Sequence, residues 1–139
     1  MVLLMLTLTV SILNGQGYIG YNETQLRERI AEFLEFPLIE PGATDKGDKY
    51  LLNHNGKDEL KEYYYLNERG LIYQALYIPL SNDAAVSFIS ALYKSESQKL
   101  VRTGEWHSYY ETGYIRTKLI MVTDSEWPLI RMDVVYYKD

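Results

Sequence analysis

The chain has 139 residues, 19 acidic and 14 basic side chains, a net charge of −5 and no cysteine. At about 100–200 residues per domain this is one domain. The acid excess argues against a nucleic-acid partner, which needs clustered Lys and Arg against phosphates. Without cysteine there are no disulfides, thiolate metal sites or cysteine nucleophiles. What stands out is tyrosine, 14 residues in a chain with two Trp and three Phe.

Met1 to Leu13 carry no charge and ten apolar side chains, and Asn14-Gly15-Gln16-Gly17 follows. An apolar run of this length before small residues reads as a signal peptide over residues 1–17, leaving 18–139 as the domain. The run is too short for a stable membrane span. It lacks a basic start, and Leu6, Leu8, Val10 and Ile12 alternate with Thr7, Thr9 and Ser11, so an N-terminal strand or a retained anchor is the alternative. Small exported domains from animals usually add disulfides. A cysteine-free one suits a bacterial periplasmic or secreted setting.

Asn22-Glu23-Thr24-Gln25 opens a helix: Asn22 can cap, Gln25 can complete a capping box, and Glu23 suits the positive N-terminus. Leu26, Ile30, Phe33 and Leu34 follow at helical spacing, and Pro37 bounds them. Residues 50–53, 60–67 and 71–80 read as strands, with Asn55-Gly56 as a tight hairpin turn and Glu68-Arg69-Gly70 as a three-residue one. A second helix starts near Ser81-Asn82-Asp83, with Ala85, Val86, Ile89, Leu92 and Tyr93 as its apolar stripe. Strands at about 103–110, 114–122 and 129–137 complete the chain, with Glu111-Thr112-Gly113 as a second three-residue turn. The expected fold is α+β: an antiparallel sheet of about six strands with two helices packed on one face. Matches between residues 18–80 and 81–139 suggest a diverged tandem helix-plus-hairpin repeat.

Turn lengths set the register. A three-residue turn at 68–70 pairs Tyr65 with Tyr73, Tyr63 with Ala75 and Lys61 with Tyr77, sending Leu66, Ile72, Leu76 and Ile78 toward the helices. The same rule at 111–113 pairs Tyr110 with Tyr114, Ser108 with Arg116 and Trp106 with Lys118, with Tyr109, Ile115, Leu119 and Met121 inward. In the last strand Ile130, Met132, Val134 and Tyr136 point in, and Arg131, Asp133, Val135 and Tyr137 point out. The candidate binding residues on the solvent face are therefore Tyr63, Tyr65, Tyr73, Tyr77, Trp106, Tyr110, Tyr114 and Arg116. Such a patch is either a set of cross-strand pairs, each stabilising by roughly 0.2–1 kcal/mol, or a docking face, since Tyr and Trp dominate binding hot spots.

No spacing points to a metal, cofactor or catalytic constellation. His54 lies in a turn and His107 is expected to face inward, without a His-x-x-x-His pattern. His107 and Ser108 point to opposite faces of a strand and cannot form a nucleophile–base pair. No nucleophile elbow or phosphate-binding glycine loop occurs. These readings lead to an exported, non-enzymatic domain that recognises a protein or glycan through its aromatic sheet face. A structural envelope module that associates with itself, as a homo-oligomer, is the alternative, and a small hydrolase with an unrecognised carboxylate site ranks third.

Overall fold

The computed structural model describes residues 17–34 and 37–138. The leader expected over residues 1–17 lies outside them, apart from Gly17. Helix α1 spans Glu23–Ala31 and is followed by β1 (Ile39–Ala43), β2 (Lys49–Asn55), β3 (Leu60–Leu66) and β4 (Ile72–Pro79). Helix α2 spans Asn82–Lys94 and is followed by β5 (Lys99–Arg102), β6 (Glu105–Tyr110), β7 (Gly113–Ile120) and β8 (Leu129–Tyr136). All pairings are antiparallel, in the order β1-β2-β3-β4-β8-β7-β6-β5. Each half is a helix followed by a four-stranded meander, and the last strand of one half pairs with the last strand of the other.

The fold is thus α+β with two helices and an antiparallel sheet among the described residues, but the sheet has eight strands rather than about six. The two unanticipated strands are its edges. Strand β1 reads Ile-Glu-Pro-Gly-Ala, and Pro and Gly ordinarily punctuate loops. Proline is tolerated in an edge strand, where its missing N–H breaks no interior ladder. Strand β5 has four residues, all exposed, so no alternation marks it.

Both helices start as their cap residues dictate. Asn22 Oδ1 accepts from Gln25 N at 2.8 Å, and Gln25 Oε1 accepts from Asn22 N at 2.9 Å. Ser81 Oγ accepts from Ala84 N at 3.1 Å. Leu26 and Ile30 of α1, and Ala84, Ala85, Phe88, Ala91 and Leu92 of α2, are buried. Val86 and Tyr93, expected in the α2 stripe, are exposed. The stripe is rotated toward Phe88, whose ring lies 5.0 Å from that of Tyr77.

The buried sheet residues share one face: Leu51, Leu60, Tyr64, Ile72, Ala75, Tyr77, Trp106, Ile115, Ile130 and Met132 join the helices in one core. Two local features set that register. Leu66 pairs with Ile72 as the three-residue turn requires, but Tyr65 pairs with Gln74, so Tyr73 is an extra, bulged residue. Beyond it β4 is rephased: Tyr77 turns in, while Leu76 and Ile78 turn out. In the second hairpin Tyr110 pairs with Gly113, leaving a two-residue turn instead of three. A Cβ on Gly113 would stand 2.2 Å from the Val135 carbonyl oxygen, so β7 approaches β8 there more closely than any side chain allows. Strand β6 is consequently shifted by one residue: Trp106 faces in, and His107 and Tyr109 face out. The β2–β3 connection also differs, since Asn55 is paired with Leu60 inside the ladder and Glu59 takes the positive φ of 54°.

The interior holds one carboxylate in a polar cage. Glu62 is 1% exposed; its Oε1 accepts from Asn53 Nδ2 and from the Tyr64 hydroxyl, both at 2.8 Å, and its Oε2 accepts from Asn55 Nδ2 at 3.1 Å. Burial holds the Glu62 carboxyl above its ordinary value of 4.5, with the three donors pulling against it and Asp58 adding to the rise. Folding therefore favours the protonated acid. Its contribution is fully present below the unfolded value and is lost as pH rises through the folded one. Thermal melts of wild type and Glu62→Gln from pH 4 to 8 should show wild type losing stability relative to the variant as pH rises. A constant difference across that range refutes this assignment.

Candidate functional site

The face opposite the helices carries the residues of the other parity, and the register places them in rows. One row runs Tyr50, Tyr65, Gln74, Asp133, Arg116, His107 and Lys99 across the sheet. The next runs Leu52, Tyr63, Leu76, Arg131, Lys118, Glu105 and Arg102. Aromatic rings gather at the two wings, and charges fill the middle.

On the β2–β3 wing the Tyr50 ring meets Tyr63 edge-on at 5.3 Å and Tyr65 at 5.9 Å. Gly42 on β1 makes room for it, since a Cβ there would stand 2.5 Å from the Tyr50 ring. Burial pushes the Tyr65 hydroxyl above its ordinary value, with Tyr63, Tyr50, Tyr73 and Asp48 adding to the effect. It remains a donor through neutral pH.

On the β6–β7 wing His107 stacks on Tyr114 with ring centroids 4.3 Å apart, and the Tyr109 ring lies 5.7 Å from each of them. Tyr137 extends this group at 6.2 Å from Tyr114. His107 Nε2 is 2.7 Å from Glu105 Oε2, and its Nδ1 is 3.2 Å from the Tyr109 hydroxyl. An ionised carboxylate can only accept, so in the neutral imidazole Nε2 carries the proton and Nδ1 accepts from Tyr109. Arg102 Nη1 also donates to Glu105, at 3.0 Å. Desolvation works to raise the Glu105 carboxyl, but the His107 bond and the charges of Arg102, His107 and Lys118 outweigh it, holding the group below its ordinary value. Between the wings Arg116 grips Asp133 with two bonds, Nε at 3.2 Å and Nη2 at 2.7 Å, the bidentate geometry a guanidinium favours.

Of the eight residues expected on this face, Tyr63, Tyr65, Tyr114 and Arg116 lie on it, and Tyr73 is exposed at the bulge beside Tyr65. Tyr77 and Trp106 do not. Tyr77 is 3% and Trp106 1% exposed, because the bulge and the two-residue turn carry them to the helix side. The Trp106 ring meets Tyr93 of α2 at 5.1 Å, and its indole N–H has no partner among the described residues, so its contribution is apolar area. Tyr110 has the parity of Trp106 and lies at the end of the sheet near Tyr136 and Tyr137. Sequence reasoning missed Tyr50, Tyr109 and the outward course of His107. The signal was there for Tyr50, which opens the β2 alternation Tyr50, Leu52, His54.

No family model, curated protein or solved structure matches this chain. Among the described residues no group of three or more His, Asp or Glu is placed to hold a metal ion, and no helix is long and apolar enough to cross a membrane.

The partition into core and surface aromatics has a stability signature. In urea unfolding Trp106→Ala and Tyr77→Ala should each cost about 3–5 kcal/mol, the range for emptying a large aromatic site. Tyr65→Ala should cost about 1 kcal/mol, the worth of its ring contacts. Equal losses at all three positions would contradict the assigned faces.

Proposed function

We propose that the protein is an exported, non-enzymatic binding domain of a bacterial periplasm or secretome that recognises a protein or glycan through the outer face of its sheet. The observation that carries this is the arrangement of Tyr50, Tyr63 and Tyr65 on one wing and His107, Tyr109 and Tyr114 on the other, around Arg116 and Arg131. Tyrosine and arginine are the residues that dominate binding hot spots, and among the described residues neither helix lies on this face. The apolar, uncharged run at Met1 to Leu13 supports export. The helix-plus-meander pattern of both halves supports reading 18–80 and 81–139 as diverged copies.

Self-association is the second reading, and two observations weigh against it. Edge-to-edge pairing meets Pro41 in β1 and Lys99 and Arg102 in β5, the devices by which sheet edges avoid strand addition. Face-to-face pairing about an axis through the centre of the face would oppose the cations Arg131 and Lys118 of two copies.

The double variant Tyr65→Ala with Tyr109→Ala removes one ring from each wing and leaves the core intact. Immobilised wild type and variant, exposed to the same envelope extract, should differ at least about tenfold in recovery of the specific partner, with unchanged circular dichroism. Equal recovery by a folded variant overturns the reading. A wild-type dimer in size-exclusion chromatography that the variant converts to monomer would establish self-association instead.

A further inference from the structure

The outer face has a charge of the opposite sign to the chain. Its outward positions hold six cations, Lys61, Lys99, Arg102, Arg116, Lys118 and Arg131. Against them stand three carboxylates, Glu40, Glu105 and Asp133, in a molecule of net charge −5. The carboxylates are already engaged. Asp133 is taken by Arg116, Glu105 by His107 and Arg102, and Glu40 lies 3.4 Å from His54.

Lys118 and Arg131 are left over at the centre. They are direct cross-strand partners on β7 and β8, and like charges in that position destabilise a sheet. Neither is in an ion pair among the described residues, and Arg131 Nε is buried without a hydrogen-bond partner. Lys118 also stands across from Glu105, but that carboxylate is already held by His107 and Arg102. A fold that keeps two cations side by side between aromatic wings, in excess of the carboxylates beside them, is complementary to an anion brought by something else.

The geometry points to an acidic polypeptide segment, in a protein partner, as the occupant of this face, with Lys118 and Arg131 meeting its carboxylates. This deepens the binding reading above and rests on it. Two features favour polypeptide over acidic glycan. Sugar rings stack on open aromatic faces, whereas here Tyr50, Tyr63 and Tyr65 pack edge against face, and one face of Tyr114 is covered by His107. Eight strands at about 4.8 Å spacing and about 20 Å length present roughly 700 Å², close to the ~800 Å² that one partner contributes to a standard protein interface.

Poly-L-glutamate tests this, with polygalacturonate as the acidic glycan. Wild type should bind poly-L-glutamate at low ionic strength, more tightly than polygalacturonate, with affinity falling as salt is added. Lys118→Glu with Arg131→Glu should weaken binding at least about tenfold. The control Lys57→Glu with Lys94→Glu makes the same change in net charge away from the face and should leave binding near wild type. Lys118→Gln with Arg131→Gln relieves the cross-strand repulsion, so it should melt at or above wild type while still losing affinity. That combination separates a binding role from a structural one and covers the case where charge reversal prevents folding. Equal loss in the control, no loss in the neutral pair, tighter binding of polygalacturonate, or no binding at low salt overturns the proposal. A neutral partner lost by Tyr65→Ala with Tyr109→Ala but retained by the neutral pair would defeat the acidic partner and keep the face. Retention of the partner by both variants would defeat the face itself.

Discussion

A single extra residue in β4 decides which side chains the molecule buries and which it shows. Without the bulge at Tyr73, β4 would carry Leu76 and Ile78 to the helices and Tyr77 to solvent. With it, Ala75 and Tyr77 face inward beside their β8 partners Met132 and Ile130, and Leu76 and Gln74 face outward beside Arg131 and Asp133. The β4–β8 pairing is also the seam between the two halves, so the phase set at Tyr73 reaches both. On its inner side the seam supplies Tyr77, which contacts Phe88 of α2 and lies in the ring chain through Tyr64 to Tyr18. On its outer side it brings Arg131 to the middle of the face.

The two sides of the sheet handle their acids in opposite ways. Glu62 is sealed among Asn53, Asn55, Tyr64 and the core, where donors are neutral and desolvation wins. Glu105 is also little exposed but lies at the outer surface of the sheet, where desolvation is weaker and its neighbours are His107, Arg102 and Lys118, and there the cations win. Acidification therefore acts in opposite directions at the two positions: it relieves the interior carboxylate and releases the surface one from its partners. The interior cage also fixes the β2–β3 pairing, because Asn53 and Asn55 of β2 reach Glu62 across the ladder. A slip of one residue would take both amides to solvent and leave the buried carboxylate with the Tyr64 hydroxyl in place of three donors, a loss of at least about 1–3 kcal/mol.

Much of this was legible in the chain because it is written locally. Asn22 with Gln25 and Ser81 with Ala84 are contacts over three residues, so the helix starts could be read directly. The inward and outward sets of β3, β7 and β8 follow from plain alternation. What was not legible depends on choices the alternation leaves degenerate. Ile72-Tyr73-Gln74-Ala75 reads as a strand whether Tyr73 counts in the alternation or bulges out of it. Tyr110-Glu111-Thr112-Gly113 accommodates a two- or three-residue turn, and the choice is made by how closely Gly113 must approach Val135 of another strand. Each ambiguity moved one strand of its hairpin, which is why Tyr77 and Trp106 were expected outside while Tyr63, Tyr65, Tyr114 and Arg116 were placed correctly. The edge strands escaped because Pro41 and Gly42, and four exposed residues at Lys99–Arg102, carry no periodic signal.

The tyrosine excess thus divides into parts with different physical reasons. Tyr18, Tyr64 and Tyr77 are core residues that fill volume, and Tyr64 donates its hydroxyl to the buried acid. Tyr50, Tyr63 and Tyr65, and Tyr109 and Tyr114, cover a sheet face that has no helix to cover it among the described residues. A face with that task alone could be satisfied by threonine, valine and paired charges, all good strand residues. Instead the cations in the middle outnumber their carboxylates, and Lys118 faces Arg131 across the ladder. Cross-strand pairing for stability explains the rings but not that juxtaposition, which costs stability in the free protein. A surface that carries two like charges side by side at its centre and aromatic rings at its rim is under a constraint the fold does not supply, and the acidic partner proposed above is what would supply it.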